Sequence, residues 1–534
     1  MTLTTPPVLI ALPHGMNVSG VTLWATRLAN ALVGDGHPVT LLTHSEPTHQ
    51  RRLDIPLDAR IVRVHIDTAT PLEGCNGDLT PYLPHYARAL TDLALRSVLP
   101  VVYLPNLAGD DYGIGAALSM IFQDRLRTIG WMHNDTKYDA TVLHHYEALL
   151  HRFVPVSCHI ERALRDRIPT RAEDIVRIPY AVEIPSSLPE REPLEGRSIR
   201  ILYTGRIDHY QKRISIIPEI SHALDSMGVA HTLTMLGDGP ASGEIDARCE
   251  ELPHCFRLDA TSPDAVRALL ASHDCLVLAS RFEGLSISML EALAHGCAPI
   301  VANVESGASE AIAHNSNGML IDTGEDDPAA IAGLFAEHIA QLAQNPRRLR
   351  DMQETAWTHA REHYTISRHV RSVREVLHEV AHEPTRVWPT DRPCAFTSDA
   401  SILGDATVPS DAPRRMRDTL RRIAQNSPHA RVALWGGGRH TISLATEFAM
   451  PPVPVVAIVD DDESRHGETL WGLPILGAES LRSCGITDCV ISSWMHQQTM
   501  WDRREQIESV GVRVHRIYPS VDGAALKQRP VGIA

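Results

Sequence analysis

DCLVLASRFEGLSISMLEALAHGCAPIV, residues 274–301, decides the fold. A short apolar run leads into a polar loop, then a small-residue helical stretch stopped by Gly296, then a second apolar run. Strand, loop, helix, glycine stop and strand make the unit of a parallel sheet with helices on its faces. The same alternation extends outward in both directions. Upstream, PPVLIALPH, HPVTLLTH, ARIVRVHI, SVLPVVYLP, LRTIGWMHND and HRFVPVS read as strands with helices between them, ending at the aperiodic IPSSLPEREPLEGRS (184–198). RSIRILYTGRI and AHTLTMLGDGP then lead into the quoted stretch, and GMLIDTG follows it. Residues 328–383 are mostly helical. After the proline-punctuated stretch 383–413, ARVALWGGGRH, VPVVAIVDDDE, TDCVISSW and VRVHRIYP restart the strands.

At roughly 100–200 residues per domain, a chain of 534 residues accommodates this count of units. The expected class is α/β, with two facing Rossmann-like domains, a cleft between them and a third, smaller Rossmann-like domain. The boundaries read as 1–185, 186–355, a helix at 356–383, a linker at 384–428 and an accessory domain at 429–534.

Composition narrows the functions. Hydrophobic residues at 43% and charged residues at 22% describe an ordinary globular chain. A net charge of −15 and 5% aromatics argue against nucleic acid as a partner. No run of about 18 apolar residues is available to span a bilayer. The first thirty residues lack a basic leader. The nine cysteines form no Cys-x-x-Cys pair, which suits a reduced, cytoplasmic protein. No metal is expected among the 29 histidines.

Open parallel sheets bind ligands beyond the carboxyl ends of their strands. After LYT come Gly205, Arg206 and, six positions on, Lys212. An arginine fork and a lysine point charge there suit a diphosphate. The chain has only three lysines, at 137, 212 and 527, against 47 arginines, so a lysine at 212 points to a need for a compact ammonium. In the quoted stretch Glu283 and Glu291 stand eight residues apart, with Gly284, Leu285 and Ser286 offering backbone amides at a helix start.

From Val8 to about Glu379 the chain resembles the family-4 retaining glycosyltransferases of the GT-B fold. The likeness is carried by Gly205-Arg206-x5-Lys212, LGDGP at 236–240 and the Glu-x7-Glu run at 283–291. The resemblance implies a metal-independent enzyme that needs no cofactor and moves a sugar from a nucleotide-diphosphate sugar to an acceptor hydroxyl. Arg206 and Lys212 would hold the diphosphate, Glu283 the sugar hydroxyls and Glu291 the ribose. Gly20 would stand in the glycine loop, His133 would face the reacting sugar, and the helix at 356–383 would cross back to the first domain. Where the family often reads Glu-Gly-Phe-Gly, this chain has Leu285 and Ser286, which puts the sugar in question. A soluble or protein-linked acceptor is expected ahead of a lipid, and a homo-oligomer is compatible with the sequence. The alternatives are a catalytically silent nucleotide-sugar-binding or assembly module, and a GT-B epimerase.

In the third unit GETLWGLPILGAESL (467–481) resembles the Rossmann-like N-terminal domains of sugar acetyltransferases. Gly436 and Gly438, followed some twenty residues later by Asp460, would form a second nucleotide site.

Overall fold

Six short runs build one sheet with helices on both faces, so its inner strands are buried along their whole length while an edge strand is only partly so. In the computed structural model these are β1 (Val8–Leu12), β2 (Val39–His44), β3 (Val62–Ile66), β4 (Val101–Leu104), β5 (Leu126–Met132) and β6 (Arg152–Pro155). They form an all-parallel sheet in the order β3-β2-β1-β4-β5-β6. The structure describes residues 5–17, 19–45, 55–68, 72, 75, 78–106, 109–209, 211–239, 241–259, 262–324, 327–396, 412–444, 451–493 and 497–518.

The second sheet repeats the plan. Its strands are β7 (Ile199–Thr204), β8 (His231–Gly237), β9 (Cys255–Asp259), β10 (Cys275–Leu278), β11 (Ala298–Ala302) and β12 (Met319–Ile321). Their order is β12-β11-β10-β7-β8-β9. In each sheet the direction of winding reverses once, between β1 and β4 and between β7 and β10. Loops leaving those strands splay apart and open a crevice. Both sheets belong to one unit, residues 1–397.

The chain passes between the two sheets twice. The outward segment carries Val182, whose N–H donates to the Tyr364 carbonyl at 3.0 Å on the returning segment. Val182 and Thr365 make an isolated parallel bridge. The return continues as the Ile366–His382 helix, which packs on the Gly20–Gly34 helix and β4. The Trp24 indole donates to His369 Nε2 (3.1 Å), and His369 Nδ1 donates to the Pro179 carbonyl (2.7 Å).

Two expected boundaries move. The division at 355/356 falls inside the Pro346–His363 helix, which packs on β11 and the Ile287–Ala294 helix and so belongs to the second sheet. The linker expected at 384–428 is also largely ordered structure. Residues 384–396 form a strap on the first sheet. Trp388 is buried, its N–H donates to Ser119 Oγ (2.9 Å), and the Tyr146 hydroxyl donates to the Cys394 carbonyl (2.8 Å). The Ala412–Asn426 helix buries Ala412, Met416, Leu420 and Ile423 against Val432 and Leu434. Residues 397–411 lie outside the described residues.

The second unit, 398–534, holds β13 (Val432–Trp435), β14 (Val455–Val459), β15 (Thr469–Leu470), β16 (Leu473–Leu476), β17 (Asp488–Ile491) and β18 (Arg513–Arg516). The order is β15-β16-β14-β13-β17-β18, with β15 antiparallel at the edge. Among the described residues no helix is long and apolar enough to cross a membrane. The Cys249 and Cys255 thiols are free and lie 2.9 Å apart, sulfur to sulfur.

Candidate functional site

The loops after β7 and β10 flank the point where the second sheet reverses, and they meet. The buried carboxylate of Asp208 organises the first loop. It accepts from the Gln211 N–H (2.8 Å) and from Arg206 Nε (2.8 Å). Arg206 is half exposed beyond that anchor. Lys212 Nζ donates to Glu283 Oε1, with both side chains only 14% exposed. Neighbouring Arg213 has a left-handed backbone (φ 47°) and is buried. Its Nε donates to the Ala279 carbonyl (2.5 Å) and its Nη2 to the Ser280 carbonyl (3.3 Å), clamping the two loops together. Pro240, the end of LGDGP, lies outside the described residues. Gly237 and Gly239 pack so closely on the backbone of Gly205 and Ile207 that neither has room for a Cβ.

Gly284 packs against the first sheet's His133. A Cβ there would run into the carbonyl of His133 on the first sheet, so only glycine fits. Leu285 turns inward and is buried in the core. Ser286 caps the Ile287–Ala294 helix, its hydroxyl accepting from the Met289 N–H at 3.4 Å. At Leu285 and Ser286 the backbone is therefore what remains for a ligand. Opposite, Ser19 caps the Gly20–Gly34 helix, and Gly20 lies against Ile287, where an added Cβ would be 3.4 Å from Cδ1. Seven residues on, Arg27 Nη2 donates to Glu291 Oε1 at 2.9 Å. These two contacts lay the helices side by side with both N-termini, the positive ends of their dipoles, at one end.

His133 differs from expectation. It is buried between Trp131 and Tyr180, both stacked parallel to it at 6.0 and 5.9 Å. Asn106 Nδ2 donates to two backbone carbonyls, which fixes its Oδ1 as the acceptor for His133 Nε2 (3.0 Å). Nδ1 then accepts from the Tyr180 hydroxyl (2.6 Å). Both ring nitrogens are thus engaged within the first sheet, and the imidazole is neutral. Burial pushes its pKa down to about 3. Behind Asn106, the buried Asp111 carboxylate accepts from the Asn106 N–H (2.7 Å), and burial raises its pKa to about 7.

These shifts set an acid limit on stability. Burial also lowers His151 to about 3 and His44 and His369 to about 4. Between those values and the unfolded value near 6.5, the unfolded chain binds more protons, so stability is complete above about pH 6.5 and falls with pH. Asp111, and Asp139 at about 6, act in the opposite sense but are fewer. Each histidine contributes at most about 1.4 kcal/mol per pH unit. The melting temperature is expected to drop between pH 6.5 and 4.5, and less steeply in His133→Gln; a flat profile would contradict the buried neutral state.

In the second unit Gly436 has φ 106°, and the Gly437 N–H donates to Asp460 Oδ2 at 3.1 Å. Arg465 Nη1 holds the same oxygen at 2.6 Å. Gly438 precedes the short Arg439–Ser443 helix. Thr441, where a fingerprint would have its last glycine, is buried and donates to the Gly436 carbonyl. The structure brings the three expected residues of this turn together but satisfies Asp460 internally.

Sequence reading missed Arg27, Asp208, Arg213, Asn106 and Tyr180. Only Asp208, within the Gly205–Lys212 loop, had a local signal.

Residues 198–345, from β7 to the Pro328–Gln344 helix, match the family described as Glycosyl transferases group 1. Over 133 residues, 25% of this chain, the sequence is 27% identical to a Campylobacter jejuni enzyme, GalNAc-alpha-(1->4)-GalNAc-alpha-(1->3)-diNAcBac-PP-undecaprenol alpha-1,4-N-acetyl-D-galactosaminyltransferase. The match spans 36% of that relative's length. Among solved structures, Anabaena HepE in complex with UDP and glucose aligns over 70% of this chain and 99% of its own, at 15% identity and TM-score 0.54. Sucrose-phosphate synthase from Thermosynechococcus elongatus aligns over the same shares at 15% identity and TM-score 0.56. Staphylococcus aureus TarM, solved with UDP, aligns over 71% of this chain and 100% of its own, at 12% identity and TM-score 0.54. The two facing sheets are therefore a GT-B fold, and residues 198–345 of the second resemble the group 1 glycosyltransferases.

Proposed function

We infer that the chain transfers a glycosyl residue from a nucleotide-diphosphate sugar to an acceptor hydroxyl, with retention at the anomeric carbon and without a metal ion. The observation that carries this reading is the Lys212–Glu283 pair at the reversal of the second sheet, inside the stretch matched by the glycosyltransferase family. An incoming diphosphate takes the Lys212 ammonium, together with the exposed end of Arg206. Glu283 is then released to accept from the sugar hydroxyls. The positive charge of the two side chains and the two aligned helix N-termini supplies what a metal would supply elsewhere. The anomeric carbon leaves its phosphate oxygen and bonds the acceptor oxygen on the same face. The departing diphosphate takes the acceptor's proton. His133, with both nitrogens engaged, positions the wall of the site and offers its backbone carbonyl.

The acceptor divides two readings. The sequence favours a soluble or protein-linked one, whereas the C. jejuni relative is named for an undecaprenol-linked saccharide. Assaying both classes side by side chooses between them. A thermal-shift panel of UDP-, GDP- and ADP-sugars tests the core proposal, because a ligand bound to the folded state raises the melting temperature by mass action. Stabilisation by none of them would sink it. Anomeric NMR of the product tests retention, and unchanged turnover in EDTA tests metal independence. A cytoplasmic location and a nucleotide-sugar site at Gly436, Gly438 and Asp460 belong to the same proposal. A ligand at the latter has to displace Arg465 from Asp460.

A further inference from the structure

Arg27 reaches the donor half of the site from outside it. It stands on the Gly20–Gly34 helix of the first sheet, yet its guanidinium lies against Glu291 of the second. Nη2 donates to Glu291 Oε1 at 2.9 Å, and Nε lies 3.9 Å from Glu183 Oε1. The other Glu183 oxygen is held by Arg267 Nη1 at 3.0 Å. Arg27 and Glu291 are 11% and 9% exposed. Arg27 Nη1 is completely buried and has no hydrogen-bond partner among the described residues.

A buried ion pair contributes little to stability unless all its donors are satisfied. An arginine that is desolvated yet keeps a donor unspent is therefore poorly explained as a structural staple. Its position explains it better. The unspent nitrogen belongs to the same guanidinium that grips Glu291, the carboxylate assigned above to the ribose. A nucleoside seated on Glu291 brings oxygen acceptors to this neighbourhood, in its ribose hydroxyls and in the carbonyls of its base.

We propose that Arg27 is a nucleotide-positioning residue, whose Nη1 donates to an oxygen of the donor's nucleoside while Nη2 orients Glu291. The first sheet thereby supplies part of the nucleotide site, and full affinity requires the two sheets to be together. This rests on the nucleotide-sugar reading above and adds a residue to it. A guanidinium suits the task because two of its nitrogens can serve two partners in fixed geometry, which an ammonium cannot reproduce.

The test is calorimetric titration of the full chain with UDP, GDP and ADP, then of Arg27→Lys and Arg27→Gln with the best of the three. Arg27→Lys keeps the charge beside Glu291 and is expected to fold. Both variants should bind that nucleotide at least tenfold more weakly. The Michaelis constant for the donor should rise in step while turnover at saturation is retained. Combining Arg27→Gln with Glu291→Gln should weaken binding by less than the product of the single effects, because the two act as a unit. A folded Arg27→Lys that binds as tightly as the parent overturns the proposal alone, leaving Arg27 as a staple. A parent protein that binds none of the three nucleotides overturns the underlying reading as well.

Discussion

Lys212→Ala is expected to lower turnover by about 10²–10³-fold, the size of effect seen when one group stabilising transition-state charge is removed. The ammonium pairs with Glu283 in a site where both side chains are nearly enclosed. In such surroundings the charge it offers to a departing diphosphate is screened far less than in water. Removing it also leaves the Glu283 carboxylate buried and unpaired, so stability should fall with activity. Lys212→Ala combined with Glu283→Gln separates the effects, since it should recover the melting temperature but not the turnover. Lys212→Arg keeps the charge but widens the head group, and should lose at least about tenfold, or ~1.4 kcal/mol in barrier. Full activity in Lys212→Ala would remove this loop from the chemistry.

Cutting the chain after Glu383 should unfold the first unit, whereas cutting after Phe396 should not. The difference is thirteen residues that a sequence reader would discard as linker. Trp388 is 1% exposed, and losing a buried tryptophan typically costs about 3–5 kcal/mol. The same cut uncovers Gly109 and Tyr146, which face Phe396 and the Cys394 carbonyl. Set against a typical domain stability of about 5–15 kcal/mol, the loss is large. Urea unfolding followed by circular dichroism, run on the two truncations together, decides the matter. Equal midpoints would mean that the strap only decorates the surface.

The strap shows why some of the molecule was legible and some was not. The strands were readable because a buried parallel strand must be apolar along its whole length, as CLVL and APIV are. Loops at the reversal points were readable because topology puts ligands there. Trp388 and Phe396, by contrast, anchor an irregular segment through single side chains, and isolated anchors have no period. Arg27 was hidden differently. Its partner Glu291 lies 264 residues away, and nothing local on its helix marks it as a site residue. His133 was found by its place at a strand end, but its hydrogen bonds to Asn106 and Tyr180 come from other elements and turn its ring inward. Asp460 was likewise found by spacing, while its capture by Arg465 depended on how the chain curls after β14.

The bridge between Val182 and Thr365 has a mechanical consequence. Two connections between bodies normally permit sliding as well as tilting, because each connection can flex on its own. Here the two are bonded to each other where they pass, so they share a single pivot. Translation of one sheet past the other requires breaking that bridge, whereas rotation about it does not. Relative motion of the sheets then reduces to one angle, and groups travel farther the farther they lie from the pivot. A single pair of spectroscopic labels, one on each sheet, would follow the whole movement.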